Sequence, residues 1–298
     1  MTSPIKRFLI ALAVLLTLGL GACTLGPALT PTITSTPTLT ATPTLTPIPL
    51  AVSVNSEGIS MDEFNAELAR YQQAQATLGN SVSAETAAQT VVNDLIDQVL
   101  LAQGAAQNGY AVNDAALQAR IDALASQAGG ADALTAWETA HGYTETSFRS
   151  ALRRQIAAAW MRDQIAAAIP ASAEQVHVKQ ILLYNETDAQ SVLAQLKNGS
   201  DFDSLAAAYD PTDPTHGELG WFPRGYLFEP TLEAAAFALQ PGQTSDILQI
   251  QGEYHILMVV ERDPNRTLSP DALLTLQERA VQDWLTQRRN TSTILFAP

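Results

Sequence analysis

This chain of 298 residues holds a single cysteine, Cys23. One thiol cannot close an intramolecular disulfide or build a Cys-rich zinc site, so the fold must rest on its apolar core. Histidine is scarce too: His141, His177, His216 and His255 stand far apart, with no ligand-like spacing. The sequence also has no phosphate-binding glycine loop, so neither a metal nor a cofactor is expected. Basic residues are few, 16 against 30 acidic, for a formal net charge of −14. With no basic stripe, such a surface disfavours nucleic acid and anionic lipid and favours solubility.

What is present begins with an address. Lys6 and Arg7 precede an uncharged, mostly apolar run from Phe8 to Ala22, too short to remain as a membrane span. The run closes on Leu20-Gly21-Ala22-Cys23, which matches a bacterial lipoprotein box. Residues 1–22 are therefore expected to be a lipoprotein signal peptide and Cys23 the lipidated residue, with an ordinary signal peptide and a chance cysteine as the alternative. Several acyl chains on one residue would supply what stable anchoring needs. From Thr24 to Leu50 there are ten Thr, six Pro and no charge, and Thr-Pro-Thr-Leu-Thr occurs twice. Proline fixes φ and biases its predecessor to extended conformations, and there is too little apolar surface for a core. Residues 23–50 read as a linker, on the order of 80 Å long if fully polyproline II at ~3.1 Å per residue. It would hold the folded part off a membrane.

Residues 51–170 read as helical, opened by a short strand or hairpin edge at Ala51 to Val54. Phe64, Leu68 and Tyr71 recur at helical spacing, as do Val91, Leu95 and Val99, and Asn108-Gly109 stops the second run. Asn113 or Asp114 can cap the next helix, which Gly129-Gly130 ends. Thr144 caps a last long helix carrying Phe148, Leu152, Ile156 and Trp160, closed by Pro170. A further helix at residues 268–290 carries Leu273, Leu274, Leu276, Val281, Trp284 and Leu285.

Residues 174–263 change character. Val176 to Leu183 alternates as a strand, with Val176, Val178, Gln180 and Leu182 on one face. Two helices, at Asp188 to Lys197 and around Phe202, Leu205 and Tyr209, precede a loop at Asp210 to Gly220. A helix at Leu232 to Leu239 and a strand at Tyr254 to Val260 follow. Three segments carry the information: Gly217-Glu218-Leu219-Gly220-Trp221-Phe222-Pro223-Arg224-Gly225, then Phe237-Ala238-Leu239-Gln240-Pro241-Gly242, then Tyr254-His255-Ile256-Leu257. In this order and at this spacing they resemble the parvulin family of peptidyl-prolyl cis/trans isomerases, from Gln175 to about Arg262. The helices on either side resemble the chaperone domain of SurA- and PrsA-type extracytoplasmic foldases, in which the last helix packs back on the N-terminal ones.

The resemblance implies an α+β protein: a helical chaperone domain with an inserted parvulin-like domain, whose four-stranded antiparallel sheet is flanked by helices. The parvulin order is strand, three helices, strand, helix, two strands. The implied activity is isomerisation of X-Pro bonds in unfolded or newly exported polypeptides, on the outer face of a bacterial membrane. Leu219, Leu227 and Leu232, with Phe222 alongside, would form the proline pocket; their alternative role is ordinary core. Parvulins carry two facing histidines and a loop Cys or Asp. His255 fills one histidine position, Gln180 stands at the other, and the acid falls on Asp210 or Asp213, unless both are plain turn residues. His177 is expected on the opposite face as a surface residue. Gln180 and the Pro211- and Pro214-bearing loop leave two functions open, an active isomerase and a binding-only chaperone.

Overall fold

The computed structural model describes residues 49–212 and 214–297; the expectations for residues 1–22, Cys23, most of the linker and Asp213 lie outside them. Residues Leu50–Val54 (β1) and Glu57–Ser60 (β2) pair antiparallel, so regular structure begins at the last residue assigned to the linker. Four elements expected as helical follow: Met61–Thr77 (α1), Ala84–Gln107 (α2), Asp114–Ala128 (α3) and Glu145–Ala167 (α5). Each begins at a side chain that takes up an orphan backbone N–H. Ser60 accepts from Glu63, Ser83 from Thr86, Asn113 from Ala116 and Thr144 from Ser147, the last within a reciprocal capping box. Between Gly129 and His141 lies an additional helix, Ala131–Ala140 (α4), which begins on Gly130 without a side-chain cap. Among the described residues no helix is long and apolar enough to cross a membrane.

The core of this helical part is the stripe Val91, Leu95, Val99 and their neighbours on α2, closed by Ala158 and Met161 of α5 and by Val52, Val54 and Ile59 of the opening hairpin. Full burial of each such aliphatic side chain is worth about 1.5–3 kcal/mol. The chain returns to this core at its end. Pro270–Thr291 (α9) contributes buried Leu285 and half-buried Val281 and Trp284, but Leu274, expected inside, is 55% exposed. Arg289 on the same helix donates to the Asp97 carboxylate at 2.7 Å. Residues Ile294–Phe296 (β7) then pair with β1, giving the sheet order β2-β1-β7. The first and last described strands are thus neighbours.

Between α5 and α9 the chain forms Ser172–Leu183 (β3), Glu186–Lys197 (α6), Phe202–Tyr209 (α7), Glu218–Pro223 (β4), Pro230–Ala238 (α8), Leu248–Ile250 (β5) and Glu253–Thr267 (β6). Two helices, where the family order implied three, separate β3 from β4 among the described residues. The four strands form one antiparallel sheet in the order β4-β3-β6-β5. Side-chain alternation divides its two faces. Val176, Val178, Leu257 and Val259 meet Phe222 and the α8 residues Ala236 and Phe237, while Ile181, Leu183 and Ile256 meet α6 and α7. Lys179 follows the same rule and reaches the Asp203 carboxylate on α7 at 2.7 Å.

The seating of α9 on α2 depends on a glycine. A Cβ built at Gly104 would lie 2.7 Å from Cη2 and Cζ2 of Trp284. Gly104→Ala should therefore lower the melting temperature, by a destabilisation of about 1–3 kcal/mol from overpacking. In a helix without that contact the same change would stabilise by up to ~1 kcal/mol. A raised melting temperature in thermal denaturation would show that Trp284 is not seated there.

Candidate active site

Of the site residues expected from sequence, Gln180 and His255 fall on the α8 side of the sheet. Gln180 on β3 stands opposite Leu257, and His255 on β6 stands opposite Leu182. This makes Gln180 and His255 diagonal neighbours on one face, within reach of each other. His255 Nδ1 lies 3.4 Å from Gln180 Oε1, a long hydrogen bond in which the imidazole Nδ1–H donates to the amide oxygen. His255 is 7% exposed. Burial pushes its pKa below the ordinary 6.5, and the carboxylates of Glu253 and Glu229 pull weakly the other way. The polar centre is therefore a neutral imidazole beside a neutral amide.

Leu219, Leu227 and Leu232, expected as an apolar pocket, are all half-buried and packed on the cluster that contains Phe222. Phe222 itself is fully buried, at 0% exposure, so it is the floor beneath these leucines rather than part of their exposed lining. Leu219 owes its position to an irregularity. Gly220 pairs with Val178 and Glu218 with Lys179, so Leu219 is the extra residue of a β-bulge and has no partner across the ladder. A bulge re-aims a side chain and increases local twist.

His177 corrects the expectation of a simple surface residue. It does lie on the opposite face, but it is half-buried, with Nε2 2.6 Å from Glu218 Oε1 and its ring stacked on Trp221 at 5.3 Å. The same Glu218 oxygen accepts the N–H of Gly220 at 2.8 Å. His177 thus braces the strand end from which Leu219 bulges.

Asp210 ends α7 and is exposed. Its Oδ1 accepts from the Thr212 backbone N–H at 3.1 Å and from the Thr212 hydroxyl at 2.7 Å. Asp210 also borders a cavity of about 70 Å³ shared with Gln180, Leu182 and Gly217. The structure thus brings Asp210 to the Gln180 end of the site while its carboxylate serves a turn. Gly217 carries the loop into β4: its φ is +74°, its carbonyl accepts the Gln180 N–H at 2.8 Å, and a Cβ there would fall 1.8 Å from the Gln180 carbonyl oxygen. No side chain fits that approach.

One residue not singled out from sequence holds the apolar half in place. Glu233, in the first turn of α8, accepts the N–H of Gly225 at 2.8 Å, of Tyr226 at 3.1 Å and of Leu227 at 3.2 Å. Three successive amides around one carboxylate fix the loop that presents Leu227. Its only sequence signal was an acid in the first turn of a helix. Among the described residues no group of three or more His, Cys, Asp or Glu side chains is placed to hold a metal.

This sheet and its helical companion define a recognisable class. A family model described as SurA-like N-terminal domain matches residues 6–162, and one described as PPIC-type PPIase domain matches residues 179–261. The chain belongs to the family with a SurA-like N-terminal domain, and it carries a parvulin-type domain. It is 34% identical over 146 residues to the chaperone SurA of Thiobacillus denitrificans, covering 43% of this chain and 33% of that one. It is 33% identical over 97 residues to the foldase protein PrsA of Geobacillus kaustophilus, covering 32% and 34%. The chain thus aligns with about a third of the length of these curated relatives. A crystal structure of the peptidylprolyl isomerase PrsA from Bacillus cereus superposes with a TM-score of 0.43 at 19% identity, over 78% of this chain and 83% of that one.

The depressed pKa of His255 has a consequence for stability. On acidification the unfolded chain takes up this proton first, so the contribution of His255 is fully present above pH 6.5 and is lost as pH falls below it. Wild type should therefore lose melting temperature on acidification below that value, and His255→Gln should flatten part of the slope. Equal slopes for the two proteins in a pH series of melts would show that His255 stays protonation-neutral to folding.

Proposed function

We propose that this protein is an extracytoplasmic foldase that catalyses cis/trans isomerisation of X-Pro bonds in unfolded or newly exported polypeptides. The observation that carries the reading is the juxtaposition on one sheet face of a half-buried leucine rim with the neutral pair Gln180 and His255. The barrier to rotation about an X-Pro bond is ~18–20 kcal/mol because of amide resonance, and no covalent bond need break to cross it. An apolar rim that seats the proline ring and excludes water from the amide lowers that barrier, and a neutral hydrogen-bonding group can stabilise the twisted carbonyl. Where parvulins use a second histidine, an amide suffices in kind, because the His255 partner need only accept or donate a hydrogen bond.

In this reading Leu219, Leu227 and Leu232 bind the proline ring, with Phe222 as their support. His255 and Gln180 face the twisting amide, and Asp210 borders the polar end. The alternative, a chaperone that binds proline-containing segments without turnover, is favoured by the exposed, Thr212-bound state of Asp210 and by Gln180 itself. Residues 51–170 and 268–290 would form one chaperone domain, with residues 174–263 inserted into it. Lipidation of Cys23 and the Thr/Pro-rich spacer would hold both at a membrane surface.

Isomerisation of a proline tetrapeptide, followed by protease coupling or NMR exchange, tests the activity. Gln180→His should raise kcat/KM and His255→Ala should lower it, while Leu232→Ala should act mainly on KM. Truncation at the rim should cost up to about tenfold, on the order of one lost apolar contact. If wild type and Gln180→His both run at the uncatalysed rate while the full chain suppresses aggregation of an unfolded client, the binding-only reading replaces this one.

Membrane attachment is tested separately. Cys23→Ser should leave the protein unprocessed or release it from the membrane fraction. A variant that fractionates and migrates like wild type would exclude the lipid anchor.

A further inference from the structure

The helix α9 touches the loop that leads to the proposed proline-binding rim, and this contact goes beyond the isomerase reading on which it rests. The loop between β4 and α8 carries Leu227 to the rim, and its backbone is gripped from two sides. Glu233 holds its N–H groups from within, as described. From the other side, Arg279 on α9 donates from Nη1 to the carbonyl oxygen of Gly225 at 2.6 Å. Leu276 lies one turn earlier on the same face of α9. A Cβ built at Gly225 would sit 3.1 Å from Leu276 Cδ2 and 3.7 Å from Arg279 Nη1, on a residue whose φ is +81°. Gly225 therefore gives its N–H to α8 and its C=O to α9, and α9 is seated as closely as an L side chain would resist.

The far end of α9 belongs to the helical core. Trp284 rests on Gly104, Leu285 is buried, and Arg289 pairs with Asp97. One continuous helix thus meets the loop that bears Leu227 through its second and third turns, at Leu276 and Arg279, and packs on α2 and α5 through its C-terminal half. We propose that α9 is a strut by which the helical part sets the position of the proline-binding loop, with Arg279 as the positioning residue. Arg279 does not face substrate; it acts through Gly225 on Leu227, two residues on. A helix is stiff along its axis, so a shift of α2 and α5 beneath Trp284 is passed to the rim. Client load on the helical part then changes how well the site grips proline.

The full-length chain decides the matter through two measurements on Arg279→Ala and Arg279→Lys. One is the kinetics of tetrapeptide isomerisation, and the other is amide hydrogen exchange at Tyr226 and Leu227, whose N–H groups report the loop directly. Loss of one hydrogen bond at this exposed contact should raise KM about three- to tenfold with kcat close to wild type. Exchange at both amides should quicken. Lys keeps an N–H donor and should recover most of both effects, which a general loss of packing would not. Arg279→Ala with wild-type KM and wild-type exchange overturns the proposal. A wild-type chain without turnover refutes the isomerase reading instead, and the exchange comparison then decides this proposal alone.

Discussion

The ladder between β3 and β6 runs from Ser172 opposite Thr267 to Leu183 opposite Tyr254, and the rest of the middle structure takes its place from it. Because side chains alternate along a strand, a slip of one residue would exchange the two faces. Gln180 would then point toward α6 and α7, and Ile181 toward α8. The two valines that fix the register, Val176 and Val178, are fully buried on the same face as Gln180, so the apolar core and the polar centre are specified by one constraint. Departures from regular pairing are local. One is the bulge at Leu219, and another falls between His177 and Val178 in the pairing with β6.

The chemistry available at this face is consistent with what bond rotation requires. Rotation transfers no proton and makes no covalent intermediate, so a site needs shape, exclusion of water and neutral hydrogen-bonding groups rather than a strong acid or base. Burial supplies the neutral state of His255, against the pull of Glu253 and Glu229. The charged groups near the site serve as braces instead. Glu233 gathers three backbone amides beneath Leu227, and Glu218 ties His177 to the strand end at Gly220. A carboxylate bound to backbone N–H groups stiffens a loop with little cost in side-chain freedom, because one residue satisfies several donors.

The helical part is closed by the end of the chain. β7 pairs with β1, the Asn55 N–H donates to the Thr293 carbonyl at 2.7 Å, and α9 lies on α2 and α5. The sheet with the leucine rim is spliced between α5 and α9, and both chain crossings are short: β3 begins five residues after α5 ends, and α9 three residues after β6. Short crossings limit the freedom of one part against the other, and the contacts of Leu276 and Arg279 with Gly225 add a third tie.

Much of this was legible in the chain itself, for a definable reason. Asn113 and Thr144 mark helix starts because a capping side chain satisfies an N–H only two or three residues away. The alternation from Val176 to Leu183 follows from period, and the facing of Gln180 with His255 is what the family resemblance of the glycine-, phenylalanine- and histidine-bearing segments implied. Other features escaped. α4 starts without a side-chain cap, and β5 and β7 are three residues each, too short for a period. Leu274 fits the apolar stripe of α9, yet it is 55% exposed. The Glu218 partner of His177, the bulge at Leu219, Glu233 beneath Leu227 and Arg279 on Gly225 all depend on where distant strands and helices return. Local sequence determined the elements and their buried faces, since those energies arise within a few residues. Only the tertiary structure decided which backbone each charged side chain would hold, because that depends on distances set by the whole packed core.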